Sequence, residues 1–176
     1  MGLPRSLVGL IVAAPAALLG CGWQPLYADP ETGPASEELR AIKVAPIPER
    51  IGQRLEIALR NSFNPGGEPT PPRYLLSTTL VTALGNLGIQ SQGLATLGQV
   101  DVYATYKLTG LQNNATLLTN TVHVANSFDL NPNEYSTVVG EDDARNRCVA
   151  ELDQEIVTRL TLFMQRRIAE KGPKPG

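Results

Sequence analysis

The stretch Val100-Asp101-Val102-Tyr103-Ala104-Thr105-Tyr106-Lys107-Leu108 alternates without a break. Val100, Val102, Ala104, Tyr106 and Leu108 fall on one side, and Asp101, Tyr103, Thr105, Lys107 and Thr109 on the other. A period of two is the side-chain period of an extended strand, so this segment predicts a strand with one buried face and one polar face. Its neighbours extend the pattern. Ala115 to Phe128 turns Leu118, Val122, Val124 and Phe128 one way and Thr119, Thr121, His123 and Ser127 the other. Gly110 to Asn114 between the two is short enough for a hairpin. Arg73 to Leu84 is a third strand, with Tyr74, Leu76, Leu80 and Leu84 in step and Leu75 and Val81 out of it. The uncharged run Gly85 to Gly98 reads either as a long hairpin connection or as extended ends of the two strands. Its glycines at 85, 88, 93 and 98 read as turn chemistry.

A sheet polar on one face needs cover on the other, and two segments have helical spacing. Glu49 to Ser62 sets Ile51, Leu55, Ala58 and Leu59 on one side and Arg50, Arg54 and Arg60 outward. Val138 to Arg167 carries Val149, Leu152, Ile156, Leu160 and Phe163 three or four apart. Its acidic start, Glu141 to Asp143, and basic end, Arg159, Arg166 and Arg167, both suit the helix dipole. A short strand over Leu39 to Pro46 precedes the first helix. The expected fold is therefore an α/β (α+β) two-layer sandwich: about four strands in a mixed or antiparallel sheet, two helices on one face, in the order strand, helix, three strands, helix.

The 176 residues make room for one such domain. With 18% charged residues and a net charge of −2, the chain is neither charge-disordered nor a strongly basic nucleic-acid binder, and no nucleic-acid partner is expected. His123 is the only histidine, and there is no GxSxG, HExxH or phosphate-cradling glycine pattern. No catalytic residue is assigned, and His123 reads as a simple exposed or half-exposed imidazole. Glu141, Asp142 and Asp143 read as helix-capping charge rather than metal ligands, so no metal is expected. Glu151 and Glu155 read as solvated charge, and Cys148 as a small buried hydrophobe.

The first residues form an address. Arg5 is followed by the apolar run Leu7 to Leu19, interrupted by Pro15 and ending at Gly20-Cys21. That run is too short to span a bilayer, which takes roughly 20 residues, and suits a cleaved leader. Leu18-Leu19-Gly20-Cys21 resembles the bacterial lipoprotein box, which implies cleavage before Cys21 and a diacylglycerol plus N-acyl lipid on it; two or more chains are what stable anchoring requires. The expected organisation is a signal peptide over 1–20, a lipidated start and tether over 21–37, a single domain over 38–170 and a tail over 171–176.

The mature start Cys21-Gly22-Trp23-Gln24-Pro25-Leu26-Tyr27 is similar to that of the lipopolysaccharide-assembly lipoproteins of the LptE family in alphaproteobacteria, whose element order also resembles the one read above. The resemblance rests on Cys21, Gly22, Trp23, Pro25, Leu26 and Tyr27. It implies a non-enzymatic outer-membrane lipoprotein that plugs, one to one, the lumen of an LptD-type β-barrel, faces the periplasm, binds lipopolysaccharide and needs no cofactor beyond its covalent lipid. Candidate contacts to lipopolysaccharide or barrel are the bases Arg40, Arg73 and Lys107 and the apolar Leu87, Ile89 and Leu94. The alternative is a lipid-anchored periplasmic binding or auxiliary module of a transporter.

Overall fold

A computed structural model describes residues 34–89 and 95–171. The elements are α1 (Pro34–Arg40), β1 (Ile42–Val44), α2 (Arg50–Phe63), β2 (Tyr74–Ile89), β3 (Ala95–Gly110), β4 (Ala115–Asp129) and α3 (Glu134–Lys171). They form a two-layer α/β sandwich whose single sheet runs β1-β2-β3-β4, helices covering one face. β1 is parallel to β2, joined by the α2 crossover that parallel pairing demands; the other two pairs are antiparallel.

The alternation of the 100–108 segment is reproduced residue by residue. Val100, Val102, Ala104, Tyr106 and Leu108 are all fully buried, while Tyr103, Thr105 and Lys107 are exposed. Val122 and Phe128 of β4 and Leu76 of β2 join the same core, and Leu118, Val124 and Leu80 are half-buried against it. Ile51, Leu55, Leu59 and Phe63 of α2 close the core from above with Ala144, Cys148, Val149, Leu152, Ile156, Leu160 and Met164 of α3. The buried stripe of α3 thus runs on to Met164, with Phe163 only half-buried.

Several boundaries differ from the sequence reading, each for a local reason. Residues 34–40, split there between tether and strand, form α1, whose Leu39 is buried in the core. Tyr74 Oη donates to Glu38 Oε2 at 2.6 Å and Arg73 pairs with Glu38 at 3.1 Å, so this turn of helix is held by long-range partners that the local pattern does not contain. The strand after it shrinks to three residues. Of the two readings of 85–98, the extended strand ends hold: Gly85 pairs with Gln99, Leu87 with Leu97 and Ile89 with Ala95. Gly98 is accordingly not a turn residue but lies inside β3 opposite Phe128.

α3 begins at Glu134, so Glu141, Asp142 and Asp143 stand in its body and do not cap it. The start is held by Asn133 Oδ1, which accepts from the Tyr135 N–H at 3.1 Å, and by Thr137, whose Oγ1 accepts from the Asn131 N–H and donates to the Asn131 carbonyl. Each of the three acids takes its own arginine: Glu141 with Arg145, Asp143 with Arg147, and Asp142 with Arg54 of α2 through two parallel bonds of 3.0 and 3.2 Å. That last pair ties the two helices together, and Arg54 holds the Asp142 carboxyl below the usual carboxylate range.

Candidate functional site: the open sheet face

Among the described residues, the second face of the sheet is left uncovered by the helices. Register places its side chains in rows: Ser77, Lys107 and Thr119; Thr79, Thr105 and Thr121; Val81, Tyr103 and His123; Ala83, Asp101 and Ala125. Most of these residues are exposed, and hydroxyls dominate them. The Thr105 and Thr121 hydroxyls share a hydrogen bond of 3.0 Å. Beside them the Tyr103 and His123 rings stack with centroids 4.3 Å apart and planes 15° from parallel. His123 Nε2 lies 2.9 Å from Asp101 Oδ1, and Gln99 Nε2 donates to both oxygens of the same carboxylate at 3.0 Å. The bond to His123, and then that from Gln99, hold the Asp101 carboxyl below its ordinary range.

His123 is therefore exposed, as its alternation implied, but it is not a solitary imidazole. Asp101, Tyr103 and His123 were each placed on the polar side of their own strand; what assembles them is the register Tyr103–His123, set by the hairpin turn over 111–114. Asp101 with His123 also supplies two thirds of a nucleophilic triad in composition only, since the pair stands on an open surface with Gln99 as its third member. Among the described residues no group of three or more His, Cys, Asp or Glu side chains is placed to hold a metal ion, and no helix is long and apolar enough to cross a membrane.

The candidate contacts do not converge. Arg40 ends α1 and is exposed, its carbonyl accepting from Asn64 Nδ2 at 2.8 Å. Arg73 stands nearby, bridged to Glu38 and donating to the Glu37 carbonyl at 3.2 Å, so it has a structural task. Lys107 is exposed in the middle of the open face, with no ion-pair partner among the described residues. Leu87 and Ile89 belong to the far end of β2, about 50 Å of extended chain from Arg73. Leu94 lies outside the described residues, as do Cys21, Gly22, Trp23, Pro25, Leu26 and Tyr27.

Glu151 and Glu155, read as solvated, have partners: Glu151 accepts from Asn126 Nδ2 at 3.1 Å and Glu155 from Arg159 Nε at 2.7 Å. They line a groove between α3 and the outer edge of β4, with Val122, His123, Val124, Gln154, Thr158 and Arg159. Cys148 is fully buried, and burial pushes its thiol pKa up.

Compared with profiles of known families and with curated proteins, the chain finds no match. Its fold does recur in solved bacterial proteins. A protein of Caulobacter crescentus described as a lipoprotein superposes with a TM-score of 0.60 at 17% identity, over 81% of this chain and 100% of that one. Lipoprotein B of Nitrosomonas europaea gives 0.57 at 12% identity, over 76% and 90%, and rare lipoprotein B of Shewanella oneidensis 0.54 at 6%, over 74% and 98%. The likeness is one of fold: this chain has the two-layer architecture found in several bacterial lipoproteins.

Proposed function

We propose that the chain is a non-enzymatic outer-membrane lipoprotein, anchored through lipid on Cys21, that fills the lumen of an LptD-like β-barrel one to one and supports lipopolysaccharide transport to the outer leaflet. The observation that carries this reading is the uncovered sheet face. A surface of Ser77, Thr79, Thr105, Thr119 and Thr121 hydroxyls, with Lys107 among them, is suited to a wet, polar barrel interior and to the phosphates and sugars of the cargo. Two further points support it: the lipoprotein-box leader with Cys21-Gly22-Trp23-Gln24-Pro25-Leu26-Tyr27, and the recurrence of the fold along nearly the whole length of solved lipoproteins.

The test is purification of the carboxy-terminally tagged chain from its native outer membrane in mild detergent. A stoichiometric complex with a large outer-membrane barrel is the expected result. A chain that fractionates alone, or with inner-membrane transporter subunits, would sink the plug reading and favour an auxiliary binding module.

A further inference from the structure

The sheet has two edges, and they are treated differently. β1 is three residues long, whereas β4 presents fifteen with nothing paired beyond it among the described residues. Along an antiparallel strand, alternate residues point both N–H and C=O away from the partner. Two arginines of α3 reveal which residues these are. Arg147 Nη2 donates to the Ser127 carbonyl at 2.8 Å and Arg159 Nη1 to the Thr121 carbonyl at 3.3 Å, while Asn120 Oδ1 accepts from the Thr121 N–H at 2.8 Å. The outward set is therefore Thr121, His123, Ala125 and Ser127. The close Thr105–Thr121 and Tyr103–His123 contacts fit this, because side chains approach most closely in the pairs that are not hydrogen-bonded across the ladder. The register is unbroken from Leu118 to Asp129, so the alternation does not slip between the two arginines.

The helix and the strand edge are matched in length. From Arg147 to Arg159 the helix advances about 18 Å, and from Thr121 to Ser127 the strand covers about 20 Å. The two arginines thus cap both ends of a short open window. Inside it, the N–H and C=O of His123 and of Ala125 and the N–H of Ser127 have no partner among the described residues. One wall of the window is the groove of about 430 Å³ between β4 and α3, where Glu151 and Glu155 stand between the arginines. A long exposed edge is a template for another strand, and proteins normally blunt it; here the blunting stops at the ends.

The geometry points to the His123–Ser127 edge of β4 as a strand-addition site for an extended segment of a partner polypeptide with basic side chains at the alternate positions that face α3. The ladder groups supply affinity; Glu155 is already held by Arg159, so selectivity for a basic side chain rests on Glu151, whose one partner among the described residues is the neutral Asn126 amide. A second copy of this chain fits less well. Pairing two β4 edges about a two-fold axis at Val124 keeps both α3 helices on one face and sets Glu151 and Glu155 of one copy against those of the other. The site does not depend on the barrel reading, since any partner offering such a strand would satisfy it.

The test uses the full chain, isotope-labelled in detergent micelles, titrated with a peptide of alternating Lys and Val and with its Glu/Val counterpart. Expected are shifts and slowed hydrogen exchange at the amides of His123, Ala125 and Ser127, with the Glu/Val peptide binding about tenfold more weakly. Ala125→Pro removes one outward N–H at an edge position where proline is tolerated, and should abolish binding with the rest of the spectrum unchanged. Glu151→Lys, an exposed substitution that keeps the fold, should weaken the Lys/Val peptide about fivefold. The proposal is overturned if the Lys/Val peptide leaves those three amides unperturbed, if the Glu/Val peptide binds as well, or if binding survives both substitutions. Concentration-dependent protection of the same amides without peptide, with a dimer in sedimentation, overturns it in favour of self-pairing.

Discussion

The Phe128 ring lies across Gly98, its direct partner in the β3–β4 ladder, and fills the space that a side chain at 98 would occupy. A methyl group there would come within 3 Å of three ring carbons. Phe128 is 8% exposed and faces Gly140 of α3, where an added methyl group would meet its Cβ at 3.6 Å and its Cδ2 at 3.9 Å. Gly98→Ala drives the ring toward solvent, and a loss of about 1–3 kcal/mol is expected, with Tm falling by roughly 2–4 °C per kcal/mol. Gly85, also in an extended strand, has nothing within 4 Å of its added methyl, so Gly85→Ala should leave Tm unchanged or raise it slightly. Thermal melts of the pair check this; equal effects at 85 and 98 would remove the ring-seat explanation.

Asp153 of α3 is the acid that the fold tolerates at a cost. Ser62 of α2 donates to its Oδ2 at 2.8 Å, but Oδ1 is buried without a partner, and burial pushes the pKa up against the smaller opposing effect of the Ser62 bond. A raised folded pKa means that the native state binds the proton more tightly than the unfolded chain. Stability on this account falls as pH rises from the ordinary carboxylate value, about 3.9, through the raised value. Asp153→Asn should therefore stabilise by about 1 kcal/mol at pH 7, or ~2–4 °C in Tm, and the gain should shrink as the pH is lowered. A gain that is constant with pH would show that the charge is not its cause.

How much of this could be read from residues alone follows from the range over which each signal acts. The β3 faces were legible because a strand buried on one side writes its period directly into Val100 to Leu108. α2 was legible because Ile51, Leu55 and Leu59 repeat at helical spacing. α1 was not, since it is short and its stability comes from Tyr74 and Arg73, more than thirty residues away. The same reasoning covers the open face. Asp101 and His123 each showed as polar positions, but a pair 22 residues apart is joined only by register, and one residue of slip would send His123 to the core side. The acids at 141–143 were read against a helix start at Val138, four residues later than Glu134, which made side-chain partners look like caps.

Lys107 and Arg73 were grouped together as cargo contacts, and the structure separates them. Arg73 holds α1 to the start of β2 through Glu38 and the Glu37 carbonyl; Lys107 has no ion-pair partner among the described residues. Arg73→Ala should lower Tm, whereas Lys107→Ala should leave it unchanged. On the proposed function, Lys107→Ala reduces lipopolysaccharide retention by roughly threefold, the size expected of one exposed charge contact. The discriminating measurement is Tm and lipopolysaccharide binding on both variants. A Lys107 variant that melts early, or an Arg73 variant that does not, would reverse the assignment.

Cys148 is sealed where α3 crosses the sheet. Its Sγ lies 3.7 Å from the Val100 carbonyl and accepts from Asn126 Nδ2 at 3.5 Å, and burial raises the thiol pKa and so suppresses the reactive thiolate. A thiol reagent should leave Cys148 unmodified in the native protein and modify it once denaturant opens the core, so labelling reports global unfolding. Cys148→Ala, which removes one buried atom beneath Val100, should cost about 1 kcal/mol. Mass spectrometry after brief alkylation, with and without denaturant, decides the point: rapid native labelling would mean that α3 lifts from the β3–β4 surface far more readily than its packing implies.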